Sequence, residues 1–311
     1  MFSPQPSPTL KIFIYATLRK GMLLSKIKEG EAVVVPGVYD ALSAKIAEQV
    51  GFDAVFQSGY SVAASMLGMP DYGLLNANEV IEQARRIASS VSIPLIVDID
   101  TGYGNALNVR RVVQELERAG AKGIFLEDQV WPKRCGHMQG KQVIAVEEYM
   151  QKLYAALDAR SSKEFIVVAR TDALEPLGLD EAIDRANRYA KAGADVVFVE
   201  APRSVEEMRR ICREVKAPLV ANMIEGGRTP LLSINELKSL GYRFILFPLT
   251  AVLSAAYAIK EILSLLKADG LVAMINGNDI ERRMFIFDEF NKLIGLDYLK
   301  SIEARYARPA S

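Results

Sequence analysis

A repeated strand-then-helix unit constrains the fold of this chain more than any other feature. From about residue 30, short runs rich in β-branched residues alternate with helical patterns of charged residues, Leu and Ala. Apolar strands separated by helices are typical of a parallel sheet that is buried on both faces. The predicted strands are Ala32–Pro36, Ala54–Ser58, Pro94–Ile99, Gly123–Glu127, Phe165–Arg170, Val196–Glu200, Pro218–Asn222 and Phe244–Phe247.

The number of units separates two parallel-sheet architectures. Eight units in about 230 residues favour a (β/α)8 barrel over a five- or six-stranded doubly wound sheet. The intervening helices include Leu107–Ala119 and Leu179–Ala192, the second of which is followed by the stop signal Gly193. After the eighth strand, Ala255–Lys267 and one or two segments within 279–306 are predicted as extra helices, apolar enough to pack on a neighbouring subunit.

Composition excludes several classes of protein. The 311 residues include 38 Lys and Arg and 38 Asp and Glu, and this zero net charge gives no long-range attraction to nucleic acid or anionic membranes. Half of the residues are apolar, which excludes a disordered chain, yet no apolar run reaches the roughly 18 residues of a membrane span. Two distant Cys residues indicate a reducing compartment. We therefore expect a cytoplasmic protein that binds neither nucleic acid nor membranes.

The amino terminus differs from the rest of the chain. Its short apolar stretch, Ile12–Ala16, lacks a preceding basic segment, so we do not expect a signal peptide. Residues 1–17 are interpreted as a loose leader. Residues 18–311 are interpreted as a single barrel domain that includes the C-terminal helices.

Rare residues cluster in one short segment, WPKRCGH, at positions 131–137. It contains the only Trp, the only His and one of the two Cys residues, inside an insertion that spans Gln129–Ile144. Cationic neighbours lower the pKa of a thiol from about 8.5, so Cys135 is predicted as a reactive thiolate or a poised acid. The alternative is a small residue in a turn. Gly136 and Gly140 give the insertion the freedom of a closing lid.

Polar residues follow every predicted strand. In a barrel, these positions converge on the carboxyl-end face, where active sites lie. A solvated rim with salt bridges to Arg170 and Lys133 is the alternative interpretation. The strand-end residues are Ser58, Gly59, Asp98, Asp100, Glu127, Asp128, Arg170, Asp172, Glu200, Asn222, Glu225 and Thr250.

Asp98 and Asp100 form the most specific pattern among these residues. Alternate residues of a strand face the same way, and Glu127 on the next strand adds a third carboxylate. Such a hard-oxygen cluster suits Mg2+ or Mn2+. Arg170 is a fork-shaped donor for a carboxylate or phosphate, or else a counter-ion of neighbouring acids. The segments GYGNAL and GHMQGKQ match no phosphate-binding loop, so we expect no nucleotide cofactor.

Taken together, the motifs resemble the isocitrate lyase / phosphoenolpyruvate mutase superfamily, from about residue 27 onward. The Lys-Arg-Cys-Gly-His combination resembles that of the carbon–carbon lyases in this superfamily. Among these lyases the chain is most similar to the 2-alkylmalate group, which is dimethylmalate lyase-like and petal death protein-like. The 2-methylisocitrate lyases are the next most similar group. The motifs are VPGVYDALSA (35–44), SGYSVAASMLGMPD (58–71), VDIDTGYGN (97–105), EDQVWPKRCGHMQGK (127–141), ARTDA (169–173), FVEAP (198–202) and NMIEGGRTPL (222–231).

This resemblance implies a homotetramer of barrels that exchange C-terminal helices and hold Mg2+. It implies that Asp98 contacts the metal, that Asp71, Asp100 and Glu127 hold its waters, and that Cys135, with Lys133 and His137, is the general acid. Arg170 and Tyr60 complete the predicted catalytic set. The substrate contacts expected from the resemblance are Ser58, Gly59, Tyr60, Gly136, Arg170, Glu200, Asn222 and Thr250.

The implied reaction cleaves the C2–C3 bond of a 2-hydroxy dicarboxylate or tricarboxylate and gives pyruvate, or another 2-oxo acid, and a carboxylate. Phe56 replaces a Tyr that is typical of methylisocitrate lyases, which leaves Tyr60 or a metal-linked acid as the base. Met138 and Leu253 replace Arg, which favours a 2-alkylmalate over a tricarboxylate. The alternatives are hydrolysis or decarboxylation of oxaloacetate, a phosphonomutase-type activity, and a barrel that binds ligands without catalysis.

Overall fold

Eight parallel strands form a nearly closed barrel, as predicted. The computed structural model describes residues 22–269 and 284–307. The strands are β1 Val33–Val38, β2 Val55–Gln57, β3 Leu95–Asp98, β4 Gly123–Glu127, β5 Ile166–Thr171, β6 Val196–Val199, β7 Val220–Asn222 and β8 Phe244–Phe247. They are hydrogen-bonded in the order β6-β5-β4-β3-β2-β1-β8-β7, and a parallel bridge between Val197 and Leu219 brings the two remaining edges together.

Helices alternate with these strands, and capping residues define most helix ends. Asn76 and Asn105 form capping boxes at two amino termini, and Gly193 ends a helix in the left-handed conformation, as its position predicts. The helices are α1 Met22–Lys28, α2 Ala41–Val50, α3 Gly59–Leu67, α4 Ala77–Ser90, α5 Ala106–Ala119, α6 Val146–Ala159, α7 Leu174–Leu177, α8 Leu179–Ala192, α9 Val205–Glu214, α10 Ile234–Leu240, α11 Thr250–Asp269, α12 Phe287–Leu293 and α13 Leu296–Tyr306.

The core has two layers because successive strand residues face opposite sides of the sheet. One layer lies between the sheet and the helices, and the other fills the barrel interior. Phe56, Phe125, Phe198 and Phe244 belong to the interior layer, in which Phe125 contacts the other three rings at centroid distances of 4.8 to 6.1 Å. The interior is therefore packed, and a ligand must bind at an end of the barrel.

Helix α1 contributes to the same interior layer. Leu23, Leu24 and Ile27 are buried in one cluster with inward-facing strand residues such as Val33 and Phe244. Burying these side chains removes apolar surface from water and fixes α1 against the barrel. The described part of the chain thus begins with an element of the barrel.

The division of the chain into domains stays a prediction. The fold separates into two compact units, with the boundary between Ala251 and Val252. The predicted helix Ala255–Lys267 lies within α11, and the segment 279–306 contains α12 and α13. The proposed leader, 1–17, lies outside the described residues. Among the helices of 22–269 and 284–307, none combines the length and apolar composition that crossing a bilayer requires.

Candidate active site

The polar strand ends meet in a small closed cavity at the carboxyl end of the barrel. Its volume is about 40 Å3, enough for a few waters but below the roughly 300 Å3 of typical ligand sites. The segment 129–144, called the lid below, packs over this cavity through Cys135, Gly136 and His137, and its movement stays a prediction. The predicted site residues that line the cavity are Ser58, Tyr60, Asp71, Asp98, Cys135, Gly136, His137, Arg170, Glu200 and Asn222.

Arg170, on β5, is the central cation of the site. Its Nε and Nη2 donate to the two oxygens of Asp172 at 2.9 and 3.0 Å. Nη1 lies 3.1 Å from Glu127 and Nη2 lies 3.2 Å from Glu200, while the guanidinium stacks over Phe198. Arg170 is therefore a counter-ion of three neighbouring acids, which the sequence analysis gave as the alternative role. These acids are buried, which excludes the solvated-rim interpretation.

A second group of carboxylates surrounds the end of β3. The strand ends at Asp98, and Asp100 lies beyond it with a left-handed φ of 49° and donates its N–H to Asp98 Oδ1 at 3.1 Å. A Cβ at Gly59 would lie 3.1 Å from Asp98 Oδ2 and 3.6 Å from Asp100 Oδ1. The two carboxylates converge as expected, but through a strained turn and not through strand alternation.

Lys133 brings the lid into contact with this group. Its Nζ lies 2.5 Å from Asp71 and 2.7 Å from Asp100, and its side chain is almost fully buried. The charge of these acids raises the pKa of Lys133, although burial opposes this effect. Lys133 therefore neutralises the carboxylates, whereas the sequence analysis had placed it as a partner of Cys135.

The carboxylates outnumber the cations near them. Burial raises the pKa of Asp98 and of Glu127, and burial together with neighbouring carboxylates raises that of Asp100 to about 7. Glu127 Oε1 is buried without a hydrogen-bond partner. These hard oxygen donors carry negative charge that the neighbouring cations do not balance, and such a group suits Mg2+.

The arrangement also limits how a metal would bind. Within 22–269 and 284–307, no three His, Cys, Asp or Glu side chains are grouped closely enough to hold a metal alone. Mg2+ usually keeps several waters and binds through one or two carboxylates and its substrate. The residues present therefore fit this ion.

The amino end of α3 forms another wall of the cavity. Ser58 caps the helix by accepting from the Ser61 N–H, so its hydroxyl lies at the start of the helix. Gly59 and Tyr60 are the first two helical residues, whose N–H groups have no partner within the helix. A helix amino terminus with such free donors favours a carboxylate.

Lys141 fixes the lid to Asp172 at the end of β5, and a bridge joins the two ends of the lid. The side chain of Lys141 is fully buried, and its ammonium donates to the Gly136 carbonyl at 2.5 Å and to Asp172 at 3.0 Å. At the base, an antiparallel bridge pairs Gln129 with Val143. The sequence analysis did not identify Lys141 as functional, although it ends the EDQVWPKRCGHMQGK motif.

His137 fastens the opposite side of the lid. Its Nδ1 accepts from the Arg228 N–H at 2.9 Å, and its Nε2 lies 3.2 Å from Glu200. Because Nδ1 accepts a hydrogen bond, the ring proton of a neutral His137 lies on Nε2, facing Glu200. Arg170 and His137 hold the pKa of Glu200 well below its usual range despite its burial.

Cys135 lies at the turn of the lid, where the pKa of its thiol is raised and not lowered. Burial raises its pKa to about 11, and this effect exceeds the opposing ones of the His137 N–H and Lys133. Of the two predicted alternatives, the raised pKa disfavours a reactive thiolate and agrees with a poised acid, and the catalytic role of Cys135 stays a prediction. The cause is the tertiary environment, in which Lys133 is paired with Asp71 and Asp100.

Three strand-end residues, Asp128, Glu225 and Thr250, lie outside the cavity lining. Asp128 is fully buried outside the cavity and accepts hydrogen bonds from Thr171, Arg185, Tyr189 and the Asp172 N–H. The Thr250 hydroxyl donates to Glu225, and neither residue lines the cavity. The role of Thr250 as a substrate contact stays a prediction.

Comparisons with known proteins agree with this geometry. The family model for phosphoenolpyruvate phosphomutase matches residues 24–267. The petal death protein of Dianthus caryophyllus is 48% identical over 94% of this chain and 90% of its own. The 2,3-dimethylmalate lyase of Eubacterium barkeri is 44% identical over 88% and 93%. A solved oxaloacetate acetylhydrolase in complex with 3,3-difluorooxalacetate has a TM-score of 0.86 and 33% identity, over 95% and 98%.

Replacing Gly136 by Ala should open the lid. A Cβ there would lie 2.5 Å from Arg170 Nη2 and 2.6 Å from Glu200. Overpacking costs about 1–3 kcal/mol, so tryptic cleavage of the lid after Lys133 or Arg134 should accelerate at least about fivefold. The exposed lid residue Gln139, changed to Ala, is the control and should leave the rate unchanged. Equal cleavage rates for Gly136→Ala and the unaltered protein would contradict the closed-lid geometry.

Proposed function

Because this chain belongs to the phosphoenolpyruvate phosphomutase family, we propose that it is a Mg2+-dependent carbon–carbon lyase. Its substrate is a 2-alkylmalate or 2-methylisocitrate, which it cleaves to pyruvate, or another 2-oxo acid, and a carboxylate. The observation that carries the proposal is that Cys135, Asp98 and Arg170 line one cavity, in which burial raises the pKa of the Cys135 thiol. Bond cleavage next to a carboxylate needs these three functions: an acid, a charge-stabilising centre and a carboxylate anchor.

The metal would be held by Asp98, with Asp71, Asp100 and Glu127 around it. Bound there, Mg2+ supplies Lewis-acid stabilisation of negative charge on oxygen. Lys133 supplies part of the same stabilisation from the lid, since its ammonium lies between Asp71 and Asp100. Lid closure therefore adds positive charge to the site.

The 2-oxo-acid half of the substrate has donors on two sides. The amino end of α3, at Ser58 and Gly59, faces one side, and Arg170 and Asn222 face the other. The Asn222 amide already donates to both oxygens of Glu200 at 3.3 Å, which fixes its orientation. Fixed donors lose little entropy when a substrate carboxylate binds.

Part of the cavity wall is apolar. Phe56, Ile224, Leu246 and Leu249 line it. An alkyl substituent of the substrate can bury its surface there, whereas a further carboxylate would lack a partner. This wall supports a 2-alkylmalate as the substrate.

The reaction then requires two proton movements. The 2-hydroxyl loses its proton as the C2–C3 bond breaks, and C2 becomes a ketone. The electron pair of that bond passes to C3 as a carboxylate enolate, which takes the thiol proton of Cys135. Tyr60 lines the cavity and is the proposed base, because Phe56 has no proton-accepting atom; a metal-linked acid is the alternative.

A homotetramer in the cytoplasm belongs to the same proposal. Helices α11 to α13 expose large apolar side chains, among them Tyr257, Phe287 and Tyr298. Exposed apolar surface of this kind is typical of a subunit contact, which supports helix exchange between subunits.

A second activity has specific support from the solved oxaloacetate acetylhydrolase, whose chain superimposes over nearly its full length. In that case this chain would hydrolyse oxaloacetate to oxalate and acetate. Water would add to C2, the C2–C3 bond would break, and C3 would take a proton, which the Cys135 thiol can supply, to leave as acetate. Measuring oxalate release separates this activity from pyruvate release.

Removing the thiol should abolish the lyase reaction. We expect Cys135→Ser to lower kcat at least about 100-fold with a small change in KM, because a positioned acid contributes about 10²–10⁴. Cys212→Ser, which alters the other Cys at a site in α9, is the matched control and should keep full activity. Undiminished turnover by Cys135→Ser would exclude the thiol as the acid, and no turnover by the unaltered protein would favour a binding function.

The substrate preference follows from the apolar wall and from Met138. With Mg2+ present and an EDTA-treated sample as the blank, kcat/KM for pyruvate release should be at least about tenfold higher for 2,3-dimethylmalate than for 2-methylisocitrate. A tenfold ratio corresponds to about 1.4 kcal/mol, a modest cost for a third carboxylate without a cationic partner. Comparable values for both substrates would contradict the assignment to alkylmalates.

A further inference from the structure

A large cleft lies on the flank of the barrel, apart from the active site. Its volume is about 920 Å3, within the range of small-molecule sites, and it shares no lining residue with the small cavity under the lid. We call it the lid-base cleft. Its lining residues are Gly73–Asn78, Thr101, Tyr103, Gly104, Arg111, Gln129, Val130, Trp131, Ile144, Glu148 and Lys152.

The lid-base cleft contains a buried cation without a carboxylate partner. Lys152 is only 6% exposed, and its ammonium donates to the Thr101 carbonyl at 3.1 Å. Within the described ranges, no carboxylate lies close enough to form an ion pair with it; Glu148, one turn earlier on α6, is exposed. An ammonium has three donors, and a buried charge is costly unless it is paired. Burial lowers the pKa of Lys152, and the charge of Glu148 opposes this effect only in part.

Arg111 adds a second free cation at the rim. Its guanidinium is exposed, and in the described part of the chain it forms no hydrogen bond or ion pair. Its neighbour Arg110, by contrast, is paired with Asp158. Lys152 and Arg111 carry two positive charges against the single negative charge of Glu148, so the cleft favours an anion.

The only tryptophan forms an apolar surface in the same cleft. Trp131 is 45% exposed, and its indole lies against Gly73, where a Cβ would come within 2.9 Å of the ring. The Tyr103 ring also lies beside the indole of Trp131, at a centroid distance of 6.3 Å. The exposed side chains of Leu74 and Val130 extend this surface. A planar organic group can stack there and displace water.

We propose that the lid-base cleft binds a small organic anion, with its carboxylate or phosphate group between Lys152 and Arg111 and a planar body against Trp131. Both ends of the lid line the cleft, through Trp131 at one end and Ile144 at the other. Lys152 also contacts Thr101, in the loop that follows Asp100. A ligand in the cleft therefore contacts both ends of the lid and, through Lys152, the loop that follows Asp100. This position suits a regulator and not a substrate.

Phenyl phosphate is a suitable probe, because Trp131 is the sole tryptophan and its fluorescence reports on this cleft. We expect a saturable change in emission on titration of the full-length protein. Inorganic phosphate should bind more weakly, since it lacks the planar body. Arg111→Gln should raise the Kd at least about tenfold, because it removes a charge-assisted hydrogen bond. Arg110→Gln, a neighbour with the same charge, should change the Kd less than about twofold.

Two results would overturn the proposal. One is the absence of a saturable change in emission with phenyl phosphate. The other is that Arg111→Gln raises the Kd no more than Arg110→Gln does, which would indicate general electrostatic attraction or binding under the lid. Arg111 is exposed and lies outside the catalytic machinery, so its replacement tests the cleft without disturbing the fold.

Discussion

The pairing of the Arg170 guanidinium with three buried acids is the contact on which the site depends. Arg170 joins the ends of β4, β5 and β6 through Glu127, Asp172 and Glu200. A buried cation of this kind is tolerated only when its donors are satisfied, so these strand ends are held in one arrangement. Asp172 extends the network to Lys141 and, through it, to the carbonyl of Gly136 in the lid. The position of the lid is therefore linked to that of the substrate-binding cation.

The acids around β3 depend on the lid in a different way. Asp98 and Asp100 have few cations in the barrel itself, and Lys133 approaches them from the lid. In the structure the lid places an ammonium beside the carboxylates and a thiol in the cavity, so one segment supplies part of the charge of the site and its proposed acid. The lid also covers these groups and keeps bulk water away from them, which strengthens electrostatic interactions at the reacting atoms.

Hydrophobic patterning predicted the barrel because the spacing of apolar residues along the chain reflects which face of each strand or helix is buried. It also predicted that Asp98 and Asp100 converge. The left-handed turn that brings Asp100 into place could not be predicted, since Asp only rarely adopts this conformation and the surrounding structure imposes it. The sequence could not decide between a thiolate and an acid at Cys135 for a related reason: its cationic neighbours in sequence contact other residues in space. No feature of the sequence marked Lys141 as a functional residue, apart from its position at the end of a motif.

The stereochemistry of proton delivery tests the central claim, that the Cys135 thiol is the acid in a closed cavity. Cleavage of 2,3-dimethylmalate in D2O gives pyruvate and propionate, and NMR analysis of the propionate reports the deuterium added at carbon 2. A thiol fixed on one face should place one deuterium there in a single configuration, and Cys135→Ala should lose both the rate and this preference. Propionate labelled equally in both configurations by the unaltered protein would show that solvent delivers the proton, which would contradict this account.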